Sequence, residues 1–125
     1  MLLALLSLFT MLIAACSQGG SNANASAANT PTVHMGETQF DQTEITIKKG
    51  QSVELVDDVA VVHIIQNGTW DSNGNARPGA EPGAPKAQLQ FQGGDSNSLG
   101  PFNAAGTFHY YCTVHNGMNL TVVVK

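Results

Sequence analysis

The chain has 125 residues, enough for one domain with one core. Its hydrophobic fraction of 42% is raised by an apolar start, and its formal charge of -4 is carried wholly at Glu37 or beyond. Such a surface gives no reason to expect nucleic acid or anionic lipid as a partner, and two cysteines, Cys16 and Cys112, exclude a disulfide framework.

Leu2 to Ala15 is a mostly apolar run, too short for the roughly 20 residues that span a bilayer as a helix. It reads as the core of a signal peptide over residues 1–15. The run ends Leu12-Ile13-Ala14-Ala15-Cys16, which resembles the lipobox of bacterial lipoproteins; the resemblance implies cleavage before Cys16 and a lipid on it. No Lys or Arg precedes the run, so the positive segment expected of a signal peptide would lie upstream of Met1. Residues 16–32 are, after Cys16, almost all Gly, Ser, Asn, Ala and Thr without charge or periodicity, the composition of a tether with a reach of roughly 20–25 Å.

From residue 33 to residue 125 the signals are those of strands. Val33 and Met35, Ile45 and Ile47, and Val53 and Leu55 alternate with polar residues, and turn residues such as Lys49-Gly50 separate them. Val59 to Ile65 is continuously apolar except for His63 and predicts a strand buried on both faces. Asp57 and Asp58, just before it, read as a solvated turn. Residues 66–101 hold seven of the thirteen glycines and four of the five prolines, so they predict a long irregular surface loop. Leu89 and Phe91, then Phe108 and Tyr110, then the valines of 122–124 complete the pattern. About seven or eight short strands in an antiparallel, two-sheet sandwich follow, an all-β fold.

The chemistry lies near the end, in Tyr111-Cys112-Thr113-Val114-His115-Asn116-Gly117-Met118. A thiolate, an imidazole and a thioether at spacing C-x-x-H-x-x-M form a soft donor set expected of a copper electron-transfer site, which lacks one imidazole. Alternation puts Phe108, Tyr110 and Cys112 on one inward face, and a buried thiolate survives only if a cation neutralises it. His109 lies on the opposite face, out of step with Cys112. His34 sits beside the tether, where a polar surface role is expected. His63 remains, the one histidine inside a strongly apolar run, where an imidazole needs a hydrogen-bond or metal partner.

On these residues the chain resembles the cupredoxins of the plastocyanin, amicyanin and auracyanin type over essentially all of 33–125. The resemblance rests on the apolar strand with His63, the run from Gly106 to Cys112, and the compact loop from Cys112 to Met118. It implies a Greek-key β-sandwich, one type 1 copper ion, and His63, Cys112 and His115 in the trigonal plane with Met118 as the long axial ligand. Two departures stand out. Ile64 replaces the Asn that many members carry after the first histidine, which removes a side-chain hydrogen bond between the ligand strands. Thr113 to Asn116 holds no proline, so the expectation is a loop from which His115 leaves Cu(I) and takes a proton at low pH. Tyr111 is expected to face outward, where by resemblance it would flank a second electron route; Trp70 and Phe102 are expected to serve packing.

Three functions compete. The first is a monomeric electron carrier, exported, lipid-anchored at the outer face of the cytoplasmic membrane or in the periplasm, and serving redox proteins of an electron-transport chain. The second is a copper chaperone or store, disfavoured by the lack of Met-rich or His-rich tracts. The third is a metal-free recognition module, which leaves the Cys-His-Met loop unexplained. Four protein ligands leave no open position for a substrate, so an enzyme is not expected.

Overall fold

The computed structural model describes residues 29–125. The expected signal segment, Cys16 and most of the tether lie outside the described residues. The described residues form nine strands: β1 (Thr32–Met35), β2 (Glu44–Ile47), β3 (Val53–Asp57), β4 (His63–Trp70), β5 (Ala76–Pro78), β6 (Gln88–Phe91), β7 (Ser96–Leu99), β8 (Gly106–Cys112) and β9 (Asn119–Val124). One sheet has the order β1-β3-β7; the other runs β2-β9-β8-β4, with β4 pairing β6 along its first half and β5 along its second.

Period-two alternation does most of the sorting. In β3 it buries Val53 and Leu55, and in β9 it buries Leu120, Val122 and Val124, so each sheet turns one apolar face inward. Between them Phe102 packs 5.8 Å from Phe108 and edge-on to Tyr110 at 6.0 Å, centroid to centroid. Each such fully buried aromatic contributes about 1.5–3 kcal/mol by leaving water. Phe102 thus has the packing role expected of it.

The all-β sandwich is as expected, but both sheets are mixed rather than antiparallel. β1 pairs β3 in parallel, with Thr32 opposite Glu54 and Met35 opposite Asp57, and β2 pairs β9 in parallel. Parallel neighbours need a crossover. The chain supplies it by placing β2 in the other sheet between β1 and β3.

Two further expectations are corrected. The apolar run from Val59 does not form one buried strand: β4 starts only at His63, and Val62 is 45% exposed in the connection that precedes it. Residues 66–101 are not one loop, since β5, β6 and β7 lie within them. The proline-rich part is held down from below. Asn67 donates to the Pro85 carbonyl and accepts from the Ala87 N–H, and the Tyr110 hydroxyl donates to the same carbonyl of Pro85.

Candidate metal centre

β8 delivers Cys112 at its last residue, and β4 delivers His63 at its first. Ile65 pairs with Cys112 across the two strands, so His63, two residues away on the same face, sits over the end of β8. The connection to β9 then folds back. The Cys112 N–H donates to the Met118 carbonyl and the Met118 N–H to the His115 carbonyl, while Gly117 supplies the positive φ of 81° that the turn requires. His115 and Met118 are thereby returned to the level of Cys112.

Three donors converge. Cys112 Sγ lies 3.7 Å from His63 Nδ1 and 3.4 Å from His115 Nδ1, and all three donor atoms fall within 4.8 Å of one another. The imidazole rings are tilted by 57° with centroids 4.8 Å apart. His63 and Cys112 are fully buried, Met118 is buried at the far end of the loop, and His115 is half-buried. Burial pushes the His63 pKa below its ordinary value, the Asp57 carboxylate opposes that shift, and His115 reinforces it. The neutral imidazole that results is the form that ligates.

The donor set fits copper. A largely buried cluster of two imidazole nitrogens and one sulfur, with a thioether residue on the same loop, matches the ligand preferences of a blue-copper site. The other histidines stand elsewhere. His34 Nδ1 pairs with Asp58 at 2.8 Å, both half exposed, and His109 Nδ1 pairs with Glu81 at 2.5 Å. Those are the surface roles expected of them.

Several residues that shape the site were not expected to. Asp57 is buried rather than solvated, because the alternation that buries Val53 and Leu55 carries it to the same face; that period was the available signal. Tyr111 faces away from the core of its sheet as expected, yet it is buried, at 4% exposure. Trp70 packs edge-on against its ring at 5.7 Å, and no alternation along β8 alone reveals that cover. The Trp70 indole also donates to the Cys112 carbonyl at 2.9 Å, beyond simple packing. Asn116 donates to the Gly74 carbonyl, tethering the donor loop to the turn before β5. Where Ile64 offers no side-chain hydrogen bond, its carbonyl accepts from the Thr113 N–H at 2.8 Å, so the main chain joins the two donor strands instead.

A family model described as copper binding proteins of the plastocyanin/azurin family matches residues 27–125. Among solved structures, amicyanin from Paracoccus versutus is similar at a TM-score of 0.58 and 22% identity, over 78% of this chain and 83% of that one. The reduced Cu(I) form at pH 4 of an amicyanin mutant gives 0.58 and 24% over the same shares of 78% and 83%. A purple cupredoxin from Nitrosopumilus maritimus gives 0.58 and 20%, over 76% of this chain and 99% of that one. At these identities the likeness is one of fold. No curated protein matches the sequence.

Proposed function

The chain belongs to the plastocyanin/azurin family of copper-binding proteins, and on that premise we propose that it is a single-electron carrier in which His63, Cys112, His115 and Met118 would hold one copper ion. The observation that carries this reading is the meeting of two Nδ1 atoms and one Sγ within 4.8 Å in a largely buried cup. One bound copper ion supplies a reversible Cu(I)/Cu(II) change. The protein's part is to hold the donors nearly fixed. Cys112 is anchored in β8, His63 in β4, and Met118 directly before β9, so the donor geometry resists change between the two oxidation states.

Electron exchange needs a close approach, and the surface offers one. Val62 and Val114, 45% and 49% exposed, are the exposed large apolar residues among those described, and they are the chain neighbours of His63 and His115. Apolar side chains flanking two of the donor residues suit brief docking of a redox protein of an electron-transport chain. Four protein donors leave no vacant position for a substrate, which argues for a carrier and against an enzyme.

The anchoring is read from sequence alone. Residues 1–15 act as a lipoprotein signal peptide, Cys16 carries the lipid, residues 16–32 tether, and residues 33–125 form a monomeric domain held at the outer face of the cytoplasmic membrane or in the periplasm. The apolar run and the small residues before Cys16 support this. Mass spectrometry of the membrane-bound protein tests it: an acylated Cys16 N-terminus is expected, and an unmodified terminus elsewhere refutes it.

The metal reading has its own test. Adding Cu(II) to the copper-free protein should give an intense visible thiolate-to-copper band that bleaches reversibly on reduction and is absent in Cys112→Ser. A colourless complex, or loss of copper at each reduction, would favour the chaperone or store; no binding would favour a recognition module.

A further inference from the structure

Two buried polar atoms beside the metal centre lack a hydrogen-bond partner, Asp57 Oδ2 and His63 Nε2. Asp57, 1% exposed, ends β3 with Oδ1 accepting from the Val59 N–H at 3.2 Å, while its Oδ2 meets no donor. His63 Nε2 is also without a hydrogen-bond partner, and it lies 3.8 Å from Asp57 Oδ1. Unpaired groups of this kind are rare in protein interiors and call for an explanation.

The chemistry of imidazole supplies one. A neutral ring carries a single proton, and Nδ1 is the atom turned toward Cys112 Sγ. For Nδ1 to keep its lone pair for a metal, the proton must sit on Nε2 and needs an acceptor on the Asp57 side. The Gly36 carbonyl also favours a proton there, but it does not complete a hydrogen bond to Nε2. The separation of 3.8 Å is longer than a hydrogen bond. Rotation of the carboxylate about its terminal torsion, which is soft, is a short route to closing it.

We propose that Asp57 is the positioning residue of the metal centre: its carboxylate takes the Nε2–H of His63, which fixes the tautomer that frees Nδ1, and sets a negative charge behind that ligand. The inference rests on the copper reading above. A fixed anion in a buried position favours the more positively charged, oxidised state of the site, so Asp57 holds the reduction potential down.

Asp57→Asn keeps the shape and an acceptor oxygen but removes the charge. The copper-loaded variant should stay blue while its Cu(I)-over-Cu(II) affinity ratio rises about tenfold, a potential about 59 mV higher for one electron. Asp57→Ala also removes the acceptor, and Cu(II) affinity should fall about 10–100-fold. Nitrogen-15 NMR of the copper-free protein should show His63 as the Nε2–H tautomer in wild type and as a mixture in Asp57→Ala. If neither variant folds, NMR of the wild-type copper-free protein decides, since a coupling across the hydrogen bond from the His63 Nε2–H to the Asp57 carboxylate carbon is expected, and a coupling to the Gly36 carbonyl carbon instead overturns the proposal. A blue Asp57→Asn protein with wild-type potential, or an unchanged tautomer in Asp57→Ala, leaves Gly36 as the acceptor and sinks this inference alone. A wild-type protein that forms no blue complex sinks the copper reading and this inference together.

Discussion

Trp70 donates its indole N–H to the carbonyl of Cys112, so the last residue of β4 holds the main chain of the thiol residue in place. Trp70 is itself clamped, because its N–H donates to Asn119 Oδ1 at 2.7 Å and its carbonyl accepts from Asn119 Nδ2 at 2.9 Å. Asn119 thus acts as a one-residue strand partner at the start of β9. Trp70→Phe keeps a ring against Tyr111 and leaves the Cys112 carbonyl unpaired. Denaturant unfolding of the copper-free protein should show a loss of about 1–3 kcal/mol. A loss below about 0.5 kcal/mol would mean that water replaces the indole.

Gly68 lies where β4 passes from pairing β6 to pairing β5, with φ at +128°. A Cβ there would stand 2.3 Å from the Arg77 carbonyl oxygen and 3.0 Å from Cε1 of Tyr111. The first neighbour is backbone and cannot step aside cheaply. Gly68→Ala should therefore destabilise by roughly 2 kcal/mol or more, from strain and overpacking together. Thermal unfolding checks this, and an unchanged Tm would show that the β4–β5 pairing is dispensable.

Asn116 is the side-chain tether of the donor loop, bonded to the Gly74 carbonyl at 3.0 Å on an exposed surface. Its loss should leave global stability within about 1 kcal/mol, since an exposed hydrogen bond is readily replaced by water. The effect should appear locally. With the tether gone and no proline to stiffen residues 113–116, Asn116→Ala should release copper to a chelator several-fold faster than wild type. Equal rates would assign the loop's rigidity to the Cys112–Met118 and Met118–His115 main-chain bonds alone.

Glu81 fastens the proline-rich segment to β8 through His109. Burial pushes its carboxyl up, but the hydrogen bonds from the His109 ring and from backbone N–H groups, with the His109 charge, hold it below the usual carboxylate value. A lowered folded pKa means stability that is present above the unfolded value, about pH 4.3, and is lost as pH falls through the folded value. The wild type should therefore exceed Glu81→Gln in Tm near neutrality, and the gap should shrink below about pH 4.3. A gap that persists undiminished into strong acid would show that the carboxylate charge plays no part.

Local rules carried the reading where a residue's fate depends on its neighbours in the chain. The alternation of Phe108, Tyr110 and Cys112 was legible because a strand has two faces and two aromatic residues identify the inner one. His109 could be set aside on the same grounds, and His34 by its place beside the tether. Local rules failed where the outcome depends on what lies across. Tyr111 points away from the core of its own sheet yet is buried, because Trp70 from β4 covers it. Asp57 continues an apolar alternation, but a carboxylate at a strand end has a solvated turn as its commoner fate, and no local rule shows that the fold closes over it and brings His63 Nε2 to 3.8 Å.

The amino-acid sequence by itself determined the spacing C-x-x-H-x-x-M between two strands, and with it a loop short enough to bring a thiol, an imidazole and a thioether residue back to one level. Tertiary structure alone decided the parallel pairings of β1 with β3 and β2 with β9, and the surroundings of the donors. Strand pairing and burial are set by contacts between residues far apart in the chain, such as His63 with Cys112, Trp70 with Cys112 and Asp57 with His63. No period within a single segment encodes those distances.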